Sequence, residues 1–410
     1  MRKLLALTVG LAALIGGVSS AYASPQVFVY RGGGYGANPL ASFENLLGRH
    51  VDGVVDFNDY GQTAGNIVSN ANWDLGTWQG KVPNIAYSVG LAVNGTTMAQ
   101  VAAGALDAQY AAIGASLVSH GFPNAYIRLG WEMNGGWYAW GGKGAAYVAA
   151  YNHAAPILKK GCPNCKIVWN PTAGIDPSSE WPGDANVDVI GSDEYANTWN
   201  SGGAAGVFGT ATTGDFGGYW GFTSFRPGSR GYHTAAHPYA IPEMGVGSRS
   251  DGHGACTLTG ATSCDDGAFV AAELASAPDA QFIGFWDYNA GDYNSQFSDG
   301  SRPNVALAFL QAEGTSQLQT FLKGSKVYTG TFKATTPSVH SFLVQLANGN
   351  LALIFWGDGT TAMTVPITFS ASRTIGAFHP LDGSTASWGK MTALSYVYTS
   401  GLSVVTVSAS

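Results

Sequence analysis

The chain has 410 residues, 46% apolar and only 11% charged, so it can bury a sizeable core and is not a disordered acidic chain. With 19 Lys and Arg against 26 Asp and Glu the net charge is −7, which excludes a binder driven by phosphate contacts; no nucleic-acid partner is expected.

The N-terminus reads as an export signal over residues 1–23. Arg2 and Lys3 form a positive head, Leu4 to Val18 an apolar stretch, and Ala21-Tyr22-Ala23 a small-x-small cleavage site. A membrane anchor is the competing reading, but the apolar run is short and holds Gly10, Gly16 and Gly17. The expected setting is secreted or periplasmic, with no membrane contact after cleavage. In an oxidising compartment Cys162 with Cys165, and Cys256 with Cys264, make two local disulfides.

From residue 24 to 315 short apolar runs alternate with helical patterns. Eight strands are expected: Val27–Arg31, Val51–Phe57, Val82–Val89, Ala125–Trp131, Lys166–Asn170, Val187–Asp193, Tyr239–Glu243 and Phe282–Asp287. Helical patterns are clearest at Thr97–His120, Ala145–Lys159, Ala268–Ala277 and Pro303–Ala312. Eight strand–helix units fit a (β/α)8 TIM barrel, the fold class α/β. The stretch Tyr195–His237 reads as a long loop over the active face.

Residues 316–410 change character. Val339–Gln345, Leu351–Phe355, Ala362–Phe369, Thr374–Phe378 and Ser395–Thr406 are short β-type runs punctuated by Asn-Gly and Asp-Gly turns. An antiparallel β-sandwich is expected, bracing the barrel or binding glycan through Trp356 or Trp388.

In (β/α)8 barrels the chemistry lies at the C-terminal strand ends. Strand four delivers Glu132 and strand seven Glu243, each followed by Gly or Asn where the chain turns. Two facing carboxylates are the minimum for cleaving a glycosidic bond. The donor must hold its proton near neutrality, and Trp131, Trp137, Tyr138 and Trp140 crowd Glu132 enough to desolvate it. Tyr195 is placed to hydrogen-bond an ionised Glu243.

Glu132-Met133-Asn134-Gly135 with Trp137 and Trp140, and Pro242-Glu243-Met244-Gly245, resemble glycoside hydrolase family 26, secreted retaining β-mannanases and relatives of clan A. The resemblance implies Glu132 as acid/base, Glu243 as nucleophile, Trp286 of Phe285-Trp286-Asp287-Tyr288 as an aromatic platform, and Tyr195 as the residue orienting the nucleophile. Where the family's mannanases have His before the acid/base, this chain has Trp131, which leaves β-xylan, β-glucan and exopolysaccharide open beside β-mannan.

Substrate contacts are expected at Trp131, Asn134, Trp137, Trp140, Tyr195, Trp286 and Arg128; Arg128 is also placed to pair with a catalytic carboxylate, or alternatively to form a structural ion pair. Asp193 and Glu194 compete for a catalytic role. Asp56 and Asp59, His233 and His237, and the loop residues Trp73, Trp78, Trp199 and Trp220 are weaker candidates for sugar contact. No metal or organic cofactor is implied, and a monomer acting on a polysaccharide is expected.

Two rivals come from other classes. Gly32, Gly34 and Ala37 satisfy a dinucleotide-binding pattern, with Asp56 about 20 residues on, which suggests an exported oxidoreductase. Pro39 interrupts the helix that pattern needs. A non-catalytic glycan-binding barrel is the other, though binding alone requires neither glutamate.

Overall fold

The computed structural model describes residues 24–33, 40–58, 61–173, 175, 177–196, 237–254, 256, 264–329, 338–359, 362–398 and 400–408. The expected export signal and most of the segment after Tyr195 lie outside these residues.

Eight parallel strands close a barrel in chain order: β1 Gln26–Tyr30, β2 Gly53–Phe57, β3 Ile85–Val89, β4 Tyr126–Leu129, β5 Lys166–Trp169, β6 Val189–Tyr195, β7 Tyr239–Gly245 and β8 Phe282–Trp286. Alternation along the strands fills the lumen with one side chain from each, namely Phe28, Val55, Ala86, Tyr126, Val168, Val189, Ala240 and Phe282. Two residues further along, the same inward face becomes polar: Ser88, Arg128 and Asn170 stand above Ala86, Tyr126 and Val168 and bond to one another. The polar layer marks the working end of the barrel.

Helices follow the strands. Thr97–His120 is two helices, α1 Met98–Ala102 and α2 Asp107–Ser119, because the chain turns at Gly104, whose φ is +94°. The helix Ala145–Gly161 ends at the Cys162–Cys165 disulfide, and Cys256 pairs with Cys264, as expected from spacing. No helix among the described residues is long and apolar enough to cross a membrane.

The C-terminal region is a six-stranded antiparallel sheet made of β9 Lys326–Val327, β10 Val339–Gln345, β11 Leu351–Gly357, β12 Met363–Phe378, β13 Thr385–Tyr398 and β14 Ser403–Val407. The two layers of the expected sandwich are one continuous sheet. Its long β12–β13 hairpin changes register between Thr368 and Arg373, and Val365, Ile367 and Tyr396 share a core with Leu353 and Phe355. The expected strand Ser395–Thr406 is instead the end of β13 and the start of β14, separated by a turn at Gly401 with φ +73°.

Period two divides β11 between two cores. Leu353 and Phe355 face the curled sheet; Ala352, Ile354 and Trp356 face the barrel. Trp356 is fully buried and donates its indole N–H to the Ser298 carbonyl at 2.7 Å. Asn45 bonds the carbonyls of Gly357 and Gly359 and accepts from the Gly401 N–H. Trp356 therefore braces; Trp388, 39% exposed on β13, is the more accessible of the two aromatics.

Candidate active site

Glu132 lies just past β4 with φ at +49°, a left-handed conformation that non-glycine residues seldom adopt. Its N–H donates to the Asn170 carbonyl at 2.6 Å, fixing the turn to the end of β5. Asn134 reinforces this link: its amide donates to the carbonyls of Thr172 and Ile175, and its oxygen accepts from the Thr172 N–H. Its side chain is spent on the loop and does not face the cleft.

Glu243 reaches the mouth because β7 carries an extra residue. Gly191 pairs with Ala240, but Asp193 pairs with Glu243, so three steps on β7 match two on β6. The bulge reverses the parity of the strand and turns Glu243 to the face that Ala240 occupies below. Pro242, which lacks an N–H, sits at this irregularity.

Carboxylate oxygens of Glu132, Asp193 and Glu243 all lie within 4.8 Å of one another. Arg128, fully buried, donates to Glu243 Oε1 at 2.6 Å and to Asp193 Oδ2 at 2.8 Å, and is itself held by Asn170 and Ser88. Burial pulls the guanidinium's pKa down, but Asp193 and Glu243 overcome that and hold it above its ordinary value. Tyr195 donates its phenol O–H to Glu243 Oε2 at 2.6 Å. Burial, followed by the charge of Glu243, keeps that phenol protonated far into the alkaline range. Gly245 makes room for it: a Cβ there would meet the Tyr195 ring at 2.5 Å.

The two glutamates have different surroundings. Glu132 keeps some solvent exposure, yet its packed surroundings, and then the charge of Glu243, push its pKa up to about 7. The Trp137 N–H, Arg128 and the Thr172 hydroxyl oppose the rise. Asp193 is pushed well above the carboxylate range by burial, against the pull of Arg128. An acid near neutrality beside a carboxylate gripped by two donors is the division of labour that acid/base and nucleophilic roles require.

The aromatic residues divide into platform and support. Trp286 is half-buried, packed at a tilt on Tyr30 with ring centroids 4.1 Å apart, and Phe57 and Tyr195 make edge contacts with it. Trp137 is 52% exposed and bonds Glu132 Oε2 at 2.7 Å. Trp131 and Trp140, expected to touch sugar, are instead buried under the loop: Trp131 bonds the Tyr138 hydroxyl and Trp140 bonds the Trp131 carbonyl. Arg128 pairs with Glu243, the expected contact with a candidate catalytic carboxylate, and with Asp193.

The weaker candidates scatter. Glu194 points away from the cleft and accepts from Ser192. Asp56 is buried, accepting from the Trp78 indole and the Phe57 N–H, and His237 pairs with Asp184. Trp73 is exposed on the helix Ile67–Trp78. Asp59, Trp199, Trp220, His233, Gly34, Ala37 and Pro39 lie outside the described residues. The dinucleotide reading loses its ribose partner, since both oxygens of Asp56 are engaged, and its strand belongs to a closed barrel. Asn170, Ser88 and Thr172 were not singled out from sequence; their signal is their place at the ends of β3 and β5.

Residues 50–214 match the model of glycosyl hydrolase family 26, a span that includes Glu132 and ends before Glu243. No curated protein matches. Among solved structures, an endo-β-1,4-mannanase double mutant from Cellulomonas fimi is similar at 15% identity, covering 93% of each chain, with a TM-score of 0.48. A GH30 endoxylanase from Clostridium papyrosolvens is 12% identical, over 95% of this chain and 98% of its own, with a TM-score of 0.47. The strand-four motif and the family match over residues 50–214 identify the chain as a glycoside hydrolase resembling family 26.

Proposed function

We propose that the protein hydrolyses internal β-glycosidic bonds of a polysaccharide with retention of configuration. The observation that carries this reading is the approach of Glu132 and Glu243 oxygens to within 4.8 Å. Retention places the two carboxyl groups about 5–5.5 Å apart, whereas inversion needs a wider gap for water.

In the first step the Glu132 proton passes to the glycosidic oxygen, the C1–O bond breaks and a Glu243 oxygen bonds C1. In the second, Glu132 takes a proton from water, the water oxygen bonds C1 and the Glu243 ester bond breaks. Arg128 and Tyr195 orient Glu243, and Trp286 supports the reacting sugar through its ring face. The catalytic body is residues 24–315, residues 316–410 with their antiparallel sheet brace it, and residues 1–23 direct export. The monomer is the working unit.

β-Mannan, β-xylan, β-glucan and exopolysaccharide are the substrate classes. Reducing-end release measured over such a panel, with proton NMR of the first anomer formed, tests the proposal. Initial release of the β-anomer from one polymer supports it; initial release of the α-anomer, or no release from any, overturns it.

A further inference from the structure

The loop carrying Glu132 folds back on itself. Trp137, five residues on, donates its indole N–H to Glu132 Oε2 at 2.7 Å while half its surface faces solvent. The ring lies across Gly135, where an added Cβ would stand 2.4 Å from its benzo edge, so the fit requires glycine at that position. An indole N–H is a donor only. An oxygen receiving it keeps its lone pair for that bond and is a poor place for a proton.

We propose that Trp137 is a positioning residue for proton transfer: its N–H makes Oε2 the proton-free oxygen of Glu132, so that Oε1 carries the acid proton. The inference rests on the hydrolase reading and deepens it. In the glycosylation step the Oε1–H bond breaks as its proton moves to the leaving oxygen, and Oε2 remains the carbonyl oxygen under the indole. In the hydrolysis step the same Oε1 takes the proton of water. One oxygen serves both half-reactions, and the carboxyl need not rotate between them.

Charges facing Glu132 come from three strands: Arg128 on β4, Asp193 on β6 and Glu243 on β7, with the Thr172 hydroxyl from the loop after β5. The indole donor favours the ionised carboxyl, as Arg128 and Thr172 do, against burial and Glu243. Removing it therefore has two effects of opposite sense: Glu132 holds its proton to higher pH, but delivers it less well.

Trp137→Phe keeps an aromatic ring and deletes the donor. Its kcat/KM against pH, on 2,4-dinitrophenyl and 4-methylumbelliferyl β-glycosides of mannobiose, xylobiose and cellobiose, reads both effects. The alkaline limb should move up by about 0.5–1 pH unit. Activity should fall about tenfold for the poorer leaving group and less for the activated one. Gly135→Ala, which displaces the ring but keeps its N–H, should move the limb the same way by a smaller amount. An unmoved limb with equal loss on both leaving groups overturns the proposal and leaves Trp137 a surface for sugar only. Glu132→Ala run in parallel separates the two layers: equal loss on both leaving groups there overturns the acid assignment itself.

Discussion

Arg128 and Glu243 meet at 2.6 Å across the barrel lumen, a contact between β4 and β7 that ties the fold to the chemistry. The guanidinium has no solvent access and bridges two carboxylates on neighbouring strands. Arg128→Ala should leave those carboxylates without their cation. Loss of one preorganised donor costs about 10²–10³ in kcat, and breaking a buried pair about 3–5 kcal/mol of stability. Denaturation and steady-state kinetics measure both, and Arg128→Lys should recover stability better than kcat, since an ammonium cannot form the same fork.

The pH dependence follows from Glu132. With its pKa raised to about 7, the proton needed for leaving-group departure is lost above that value. The alkaline limb of kcat/KM should therefore have its midpoint near pH 7. Activity constant to pH 9 would contradict Glu132 as the acid.

Much of this site was legible because strand ends in a barrel are predictable positions. Glu132 and Glu243 each close an apolar run, and Tyr195 sits at the end of β6. What alternation alone did not reveal was the bulge at Pro242: counting by two from Ala240 points Glu243 outward, and only the three-for-two register brings it in. Trp131 and Trp140 were misread for the opposite reason. Aromatics near a catalytic residue suggest a platform in sequence, yet here they pack on Tyr138 and one another to form the floor of the loop. Arg128 was legible as a partner for a catalytic carboxylate, but its support by Asn170 and Ser88 needs three strands to be adjacent in space, which no local pattern encodes.

Glu194 offers a test of stability separate from catalysis. Burial pushes its carboxyl up to about 8, so the neutral form is the one the fold accommodates. Its raised value adds stability that is complete below the unfolded value near 4.5 and lost as pH rises through about 8. Glu194→Gln should therefore raise Tm progressively above pH 5, by an amount equivalent to on the order of a few kcal/mol at pH 8. A Tm difference independent of pH would show that Glu194 does not titrate with folding.

The brace between sheet and barrel is centred on Trp356. Trp356→Ala opens a cavity and orphans the Ser298 carbonyl, and should cost about 3–5 kcal/mol. Ser298 also bonds Asp287, the neighbour of Trp286, so activity should fall with stability rather than persist. Thermal unfolding followed alongside hydrolysis measures the coupling.

Glu243→Ala assayed on a 2,4-dinitrophenyl β-glycoside with and without azide is the most direct trial of the carboxylate pair. Hydrolysis should disappear in the variant, and azide should restore turnover with the α-glycosyl azide as product. Undiminished hydrolysis without azide would remove Glu243 from the reaction and contradict the double displacement.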